Sequence, residues 1–247
     1  MNVYVFDVDG TLTPHRLPAA REFTDFFLKW APGKQIYLST GSDFEKTKEQ
    51  LPPEIINFAK GIFCCMGNEL YVPDATEPVY SREFEPDVDF MAALHAQLKE
   101  SSFPLRTGNH VERRPGMLNF SIVGRNATTE QREIYFEHDK IAKERENLVN
   151  FLSNRFPDFD FVVGGMISID IYPSGHDKSQ SIRWIAEHEP DASITYIGDR
   201  VFPGGNDYAA AAEIMRLDAG NYHNVDNWRE TMEILKDSDL VKNKDVL

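Results

Sequence analysis

Two aspartates stand one residue apart near the start of the chain, in the segment NVYVFDVDGTLTPHR at residues 2–16. The apolar residues before them predict a short buried strand over residues 2–8, so Asp7 and Asp9 fall at its carboxyl end. Ligands of parallel sheets collect at that edge. Because Gly10 lets the chain turn there, we expect both carboxylates to reach one site.

Polar side chains follow two further predicted strands, at residues 35–40 and 193–198. They are Ser39, Thr40 and Ser42 after the first, and Asp199 after the second. Three clustered carboxylates would repel one another and raise each other's pKa, and a divalent cation removes that repulsion. Oxygen ligands suit Mg²⁺, which also binds substrate phosphate, and carboxylates can attack phosphorus. A solvated acidic turn is the alternative, and it would be favoured for two aspartates without these flanking residues.

Composition limits the possible partners. The chain has 247 residues and a formal net charge of −14, which disfavours binding to nucleic acid or anionic lipid. We expect a cytoplasmic protein, since neither a signal peptide nor a membrane span is predicted. Cys64 and Cys65 are adjacent, which favours buried thiols over a metal site or a disulfide.

Four arginines in residues 106–125 are accompanied by a single acidic residue, Glu112. They are Arg106, Arg113, Arg114 and Arg125, and Arg132 follows in the next predicted helix. Guanidinium groups offer paired donors in one plane, which suits phosphate. Ion pairing with the many surface acids is the alternative.

The elements that must position these residues change character along the chain. Strands and helices alternate in residues 1–80 and 181–247, which predicts a parallel sheet covered on both faces. Residues 81–180 instead predict helices near 88–100 and 129–155 and three strands, two of them around the turn at Gly164-Gly165. Period-two alternation over 117–123 and 166–172 predicts an antiparallel sheet with one buried and one polar face. We therefore expect an α/β core domain (1–80 and 181–247) with an inserted α+β domain (81–180).

Several segments resemble a known family. DVDGTLT, STGS at 39–42, Lys178 and GDRVFPGGND at 198–207 resemble the four motifs of the haloacid-dehalogenase (HAD) superfamily. GSDFEKTKEQL, RPGMLNFSIVGR and GGMISIDIYPSGHDK further resemble the eukaryotic-type phosphomannomutase family. The resemblance implies a HAD-like Rossmannoid core with an inserted cap domain of type C2b.

The resemblance also implies roles for the residues of the core. Asp7 would be the nucleophile and Asp9 the general acid and base. Asp7, Asp9 through its backbone, and Asp199 would hold Mg²⁺. Two further sets complete the implied site: Thr40 or Ser42 with Lys178 for the transferring phosphate, and Asn206 with Asp207 to support the metal and Lys178.

The resemblance further implies contacts to the substrate, most of them from the cap and one, Arg16, from the segment after the first motif. The residues are Arg16, Arg114, Arg125, Arg132, Ser168 and Asp170. The implied enzyme interconverts mannose 6-phosphate and mannose 1-phosphate through an aspartyl-phosphate, with a hexose 1,6-bisphosphate as activator. It would form a homodimer through its caps. A sugar-phosphate phosphatase of the same superfamily is the alternative, since Thr40 is typical of phosphatases and the mutases tend to have Gly there. A catalytically silent sugar-phosphate binder is disfavoured because Asp7 and Asp9 are both present.

Overall fold

The structure is a computed structural model that describes residues 1–242, with side chains described up to residue 237. It divides into two compact units. One comprises Met1–Ser81 with the chain from Asp177 onward, and the other is Arg82–His176. The second division lies just before Lys178, which therefore belongs to the first unit.

The first unit is built on one mainly parallel sheet. Its strands are β1 (Asn2–Phe6), β2 (Gln35–Ser39), β3 (Ala59–Cys64), β4 (Glu69–Tyr71), β5 (Tyr80–Ser81), β10 (Ser193–Gly198) and β11 (Gly220–Asn224). The order is β11-β10-β1-β2-β3-β4-β5. The pairs β3–β4 and β4–β5 are antiparallel, and the other neighbouring pairs are parallel. Its helices are α1 (Arg21–Trp30), α2 (Phe44–Gln50), α3 (Pro53–Ile56), α7 (Ser179–His188), α8 (Tyr208–Leu217) and α9 (Trp228–Lys242).

The sheet of the first unit is buried by apolar stripes on its helices. Phe23, Phe27 and Trp30 recur at helical spacing on α1, and all three are buried. Phe27 and Trp30 contact the ring of Phe6 on β1 edge to face. Burial of three such aromatic side chains contributes several kcal/mol, at about 25 cal/mol per Å² of apolar surface. This packing fixes β1, the strand that carries Asp7.

The second unit packs helices against an antiparallel sheet. The strands are β6 (Val111–Arg114), β7 (Met117–Phe120), β8 (Phe159–Gly164) and β9 (Ser168–Pro173), in the order β6-β7-β9-β8. The helices are α4 (Val88–Glu100), α5 (Thr129–Ala142) and α6 (Glu144–Arg155). Leu118, Phe120, Ile169 and Ile171 face a shared apolar core. The predicted buried face is thereby confirmed.

The polar face of that sheet is also largely buried, unlike an open, solvated sheet. Asn119, Ser121 and Ser168 are each at most 3% exposed. Buried polar groups are costly unless they are hydrogen-bonded. Asn119 donates to Asp170, while Ser121 accepts from the backbone N–H of Gly124 and Ser168 accepts from Arg125.

The predicted single helix over 129–155 is wrong. Two helices meet at Lys143, whose backbone is left-handed (φ 53°). Asp139 stabilises the break, because its side chain accepts hydrogen bonds from the backbone N–H of Arg145 and from Arg145 Nε, both at 2.8 Å. The Arg145 guanidinium also donates to the backbone oxygens of Gly164, Gly165 and Ser168. The break thus ties both helices to the β8–β9 turn.

Sequence patterns missed β4, β5, β6 and β11, which are short or polar. The last helix, α9, continues to Lys242, and residues 243–247 lie outside the described part. Cys64 and Cys65 are both buried, as predicted.

Candidate active site

Three neighbouring strands of the first unit bring the polar residues together. β10, β1 and β2 are adjacent and parallel, so their carboxyl ends share one edge of the sheet. Asp199 follows β10, Asp7 follows β1, and Thr40 follows β2. Backbone hydrogen bonds fix these positions, from Asp7 N to Ile197 O (2.9 Å) and from Thr40 N to Phe63 O (2.8 Å).

Lys178 joins two carboxylates at this edge. Its Nζ lies 2.5 Å from Asp7 Oδ1 and 2.6 Å from Asp207 Oδ1, and its side chain is fully buried. Thr11 Oγ1 donates to the other oxygen of Asp7 at 3.2 Å. A buried ammonium that contacts two carboxylates is held rigidly, because losing either partner would leave a charge unpaired. Burial lowers the pKa of Lys178, but Asp207 and Asp7 outweigh it, and the net shift is upward.

Asp207 is held by three donors. Besides Lys178, Tyr196 Oη donates to its Oδ1 (2.5 Å) and Arg200 N donates to its Oδ2 (3.0 Å). Gly198 makes room for it, since a Cβ at that position would lie 2.7 Å from the Asp207 carboxyl carbon. The Asp207 carboxyl is therefore held in one orientation within the cluster.

Asp7, Asp199 and Asp207 form a group that could hold a metal ion. Each offers an oxygen, and these oxygens lie within 4.8 Å of one another. Asn206 precedes Asp207 in the chain, and its Oδ1 is buried without a hydrogen-bond partner among the described residues. An all-oxygen donor set suits a hard divalent cation such as Mg²⁺. The residues present therefore fit such an ion.

The pKa values of two of these carboxyls are raised. Burial raises the pKa of Asp7 to about 8, since Asp207 and Asp199 add to the effect and Lys178 only partly offsets it. Burial and Asp207 raise the pKa of Asp199 to about 6. A bound cation would favour the ionised carboxylates and lower both pKa values.

Asp9 has different surroundings from Asp7. Its Oδ1 accepts hydrogen bonds from Gln50 Nε2 (3.0 Å) and from the backbone N–H of Arg16, and its Oδ2 lies 4.0 Å from His15 Nδ1. Burial raises the pKa of Asp9, but these donors outweigh it, and the net shift is downward. Asp9 is thus an anion at neutral pH, in the form that accepts a proton.

Gly10 permits the close approach of these groups. Its φ is +93°, and a Cβ there would lie 2.6 Å from Asp199 Oδ2 and 2.6 Å from His15 Cε1. His15 Nε2 in turn lies 3.6 Å from Asp199 Oδ2. The predicted turn at Gly10 is confirmed, and no other residue type would fit without displacing Asp199 or His15.

Thr40 and Ser42 lie in the turn after β2, as expected. Thr40 is 1% exposed, and its Oγ1 accepts a hydrogen bond from Ser42 N at 3.1 Å. The turn is supported by the segment after β3, because Met66 N donates to Thr40 O and Cys65 N donates to Ser42 O. Cys65 and Met66 both adopt positive φ there.

In the second unit, Glu112 lies between two of the predicted arginines. Its Oε2 accepts from Arg125 Nε (2.8 Å) and from an Nη atom of Arg114 (3.0 Å). Arg125 also donates to Ser168 Oγ at 3.0 Å. These four side chains share the polar side of the antiparallel sheet.

Asp170 and Arg132 are also anchored in this unit. Asn119 Nδ2 donates to Asp170 Oδ1 at 2.5 Å across the β7–β9 pair. The guanidinium of Arg132 donates to the backbone oxygens of Ala127 (2.9 Å) and Arg125 (2.6 Å). Arg132 therefore also holds the loop that carries Arg125.

Two arginines of the basic segment have other roles. The guanidinium of Arg106 donates to four backbone oxygens, those of Leu98, Ser101, Phe103 and Leu105. Arg113 is exposed, 3.8 Å from Glu85. Arg16 is exposed in the first unit, where its backbone rather than its guanidinium contacts Asp9.

The sequence analysis missed several residues, both around the carboxylates of the first unit and on the polar face of the antiparallel sheet. Thr11 and His15 lie within the first motif and could have been found by their position. Asn119 alternates onto the polar face of β7, a signal that the pattern carried. No sequence signal pointed to Tyr196 or Gln50, because their contacts with Asp207 and Asp9 depend on how distant segments pack together.

Comparisons with known proteins agree with this architecture. Residues 23–239 match the family model described as "Eukaryotic phosphomannomutase". The chain is 34% identical over 242 residues to a phosphomannomutase of Drosophila melanogaster, which covers 94% of both chains. It is 32% identical over 237 residues to a phosphomannomutase of Spinacia oleracea, which covers 94% of this chain and 93% of that one.

A solved structure shares the fold. A haloacid dehalogenase-like hydrolase from Bacteroides thetaiotaomicron superposes with a TM-score of 0.61 at 13% identity, over 95% of this chain and 98% of that one. The predicted fold class, a HAD-like α/β core with a separate antiparallel sheet, is confirmed. No helix among the described residues is both long and apolar enough to cross a membrane.

Proposed function

The chain belongs to the eukaryotic phosphomannomutase family, and on that premise we propose that it is an isomerase that interconverts mannose 6-phosphate and mannose 1-phosphate. The observation that carries the proposal is the buried cluster in which Lys178 contacts both Asp7 and Asp207, beside Asp199. The cluster offers a carboxylate, a fixed cation and an all-oxygen metal site in one place, which phosphoryl transfer requires.

In the proposed reaction, Asp7 carries the phosphoryl group. A carboxylate oxygen of Asp7 attacks the phosphorus of a hexose 1,6-bisphosphate, and the bond from phosphorus to the sugar oxygen breaks. Asp9 gives that oxygen the proton that it took from a sugar hydroxyl in the preceding half-reaction. After the sugar monophosphate has turned round, Asp9 takes the proton from its other hydroxyl, which attacks the aspartyl-phosphate and frees Asp7. The lowered pKa of Asp9 supports the second role, in which it accepts a proton.

The other core residues support this step. Mg²⁺, held by Asp7, Asp199 and the backbone of Asp9 with support from Asn206 and Asp207, would neutralise negative charge on the phosphoryl oxygens. Lys178 holds Asp7 in place and adds a positive charge where negative charge gathers. Thr40 or Ser42 would donate hydrogen bonds to the transferring phosphate.

The inserted unit would hold the second phosphate and the sugar. We assign the phosphate to Arg114, Arg125, Arg132 and Ser168, and the sugar hydroxyls to Asp170. Arg16 is assigned a contact to the substrate. Guanidinium groups in a fixed plane are suited to this role. A bisphosphate activator, a homodimer formed through the inserted unit and a cytoplasmic location remain predictions from the family resemblance.

Phosphorus NMR tests the proposal. The protein is given mannose 1-phosphate, Mg²⁺ and a trace of hexose 1,6-bisphosphate. Growth of the mannose 6-phosphate signal supports a mutase. Release of inorganic phosphate alone would instead favour the sugar-phosphate phosphatase, and neither signal would refute both.

A further inference from the structure

One acidic side chain lies among the arginines of the inserted unit. Glu112 on β6 pairs directly with Asn119 on β7, and Asn119 pairs with Asp170 on β9. The three residues therefore form a row across the sheet, on one face. Glu112 is the member of the row that contacts two guanidinium groups.

The contacts of Glu112 fix the orientation of both arginines. One oxygen, Oε2, lies 2.8 Å from Arg125 Nε and 3.0 Å from an Nη atom of Arg114. The arginine side chains are only 15% and 11% exposed, and that of Glu112 is 28% exposed. Arg125 is further fixed by its hydrogen bond to Ser168 Oγ. A pair of guanidiniums held this way loses little conformational entropy when it binds phosphate.

Glu112 also lowers the net positive charge around these arginines. Arg114, Arg125 and Arg132 contribute three positive charges, and Glu112 and Asp170 formally balance two of them. A phosphate ester therefore meets well-oriented donors in a weakly charged site. Such a site binds phosphate without holding it strongly, which suits a sugar that must leave and return by its other end.

We propose that Glu112 is a positioning residue that orients Arg114 and Arg125 and, by its charge, limits how tightly the inserted unit holds phosphate. The inference rests on the proposed function, because it assigns these arginines to substrate phosphate. It predicts that neutralising Glu112 makes binding tighter and turnover slower. A merely structural role predicts looser binding.

The test compares Glu112→Gln with Glu85→Gln in the full chain. Both changes remove one negative charge from the same unit, but Glu85 is 84% exposed and lies 3.8 Å from Arg113, which is itself exposed. Inorganic phosphate is titrated while the Nε–H resonance of Arg125 is followed by NMR, with Arg125→Lys identifying that resonance. This signal reports on the inserted unit and needs no turnover.

For Glu112→Gln we expect phosphate to bind ~3- to 10-fold more tightly, the factor typical of one unit charge nearby in partly solvated protein. KM for mannose 1-phosphate and kcat should both fall, while Glu85→Gln should behave like the wild type. Unchanged or weaker phosphate binding in Glu112→Gln would overturn the proposal, and so would tighter binding with unchanged kcat.

Glu112→Asp separates position from charge. Its carboxylate keeps the charge but is one methylene shorter, so we expect a shifted Arg125 resonance and weaker phosphate binding. Tighter binding, as in Glu112→Gln, would overturn the proposal. Failure of the wild type to isomerise mannose 1-phosphate would refute the proposed function instead, independently of either titration.

Discussion

Lys178 Nζ lies 2.5 Å from Asp7 Oδ1, although 171 positions separate the two residues in the chain. The sheet explains the contact, because Asp7 ends β1 and Lys178 immediately precedes α7, which packs on the same core. Tertiary structure thus builds the charge pair at the proposed reaction centre.

Replacing Lys178 by Met should destabilise the protein. Asp7 and Asp207 would lose their shared cation in a buried site, and removing one partner of a buried ion pair costs about 3–5 kcal/mol. Urea denaturation measures the loss. Lys236→Met is the control, since Lys236 lies on the surface and pairs with Glu233 one helical turn away. A loss no larger than in this control would contradict the charge-pairing account.

Without metal, stability should fall as pH rises from about 4 to about 8. The pKa values of Asp199 and Asp7 are raised from 3.8 to about 6 and about 8, so the folded state binds protons more tightly than the unfolded state. The stabilisation from these two carboxyls is complete below their pKa in the unfolded state. It is lost as the pH rises through the pKa that each carboxyl has in the folded state. The upward shift of His15 acts in the same direction.

Adding Mg²⁺ should reverse this loss. The ion binds ionised carboxylates, so it should raise the melting temperature more at pH 8 than at pH 5.5. At 100 times its Kd, the ion should stabilise the folded state by about 2.7 kcal/mol. Thermal melts with Mg²⁺ and with a chelator measure the effect. An equal or larger effect at the lower pH would contradict a metal site at this cluster.

Gly10→Ala should disturb the site beyond its backbone cost. The positive φ costs about 1–2 kcal/mol, and the added Cβ would meet Asp199 and His15. Gly33→Ala is a matched control, because Gly33 also has positive φ (+78°) but has open space around it. We expect both variants to lose stability, and only Gly10→Ala to lose Mg²⁺ affinity and activity. Equal activities in the two variants would argue against the close packing at Gly10.

The sequence predicted the motif residues at strand ends well, because parallel strands place their carboxyl ends together whatever the surrounding detail. Asp7, Thr40 and Asp199 follow this rule. The break at Lys143 was not predictable from periodicity, since it depends on the Asp139 side chain accepting bonds from Arg145. The contact between Glu112 and Arg125 was not predictable either, because the loop after β7 brings Arg125 to it. Arg114, the other partner of Glu112, lies two residues further along the same strand.

Arg125→Lys should weaken use of hexose phosphates. The single ammonium group of lysine cannot replace a planar guanidinium that contacts both Glu112 and Ser168. We expect KM for mannose 1-phosphate to rise ~10-fold or more, the equivalent of about 1.4 kcal/mol, with a smaller change in kcat. Hydrolysis of acetyl phosphate, which has no sugar to contact, serves as the internal control. If that reaction fell in parallel, Arg125 would not act on the sugar phosphate.

Trapping the phosphoryl group on the enzyme tests the central claim most directly. The protein is mixed with hexose 1,6-bisphosphate and Mg²⁺, quenched, and treated with borohydride, which reduces an aspartyl-phosphate to homoserine. Mass spectrometry of the peptide containing residues 2–16 should then find homoserine at position 7, and Asp7→Asn should show neither this product nor turnover. Homoserine at another residue, or full isomerase activity in Asp7→Asn, would contradict the account.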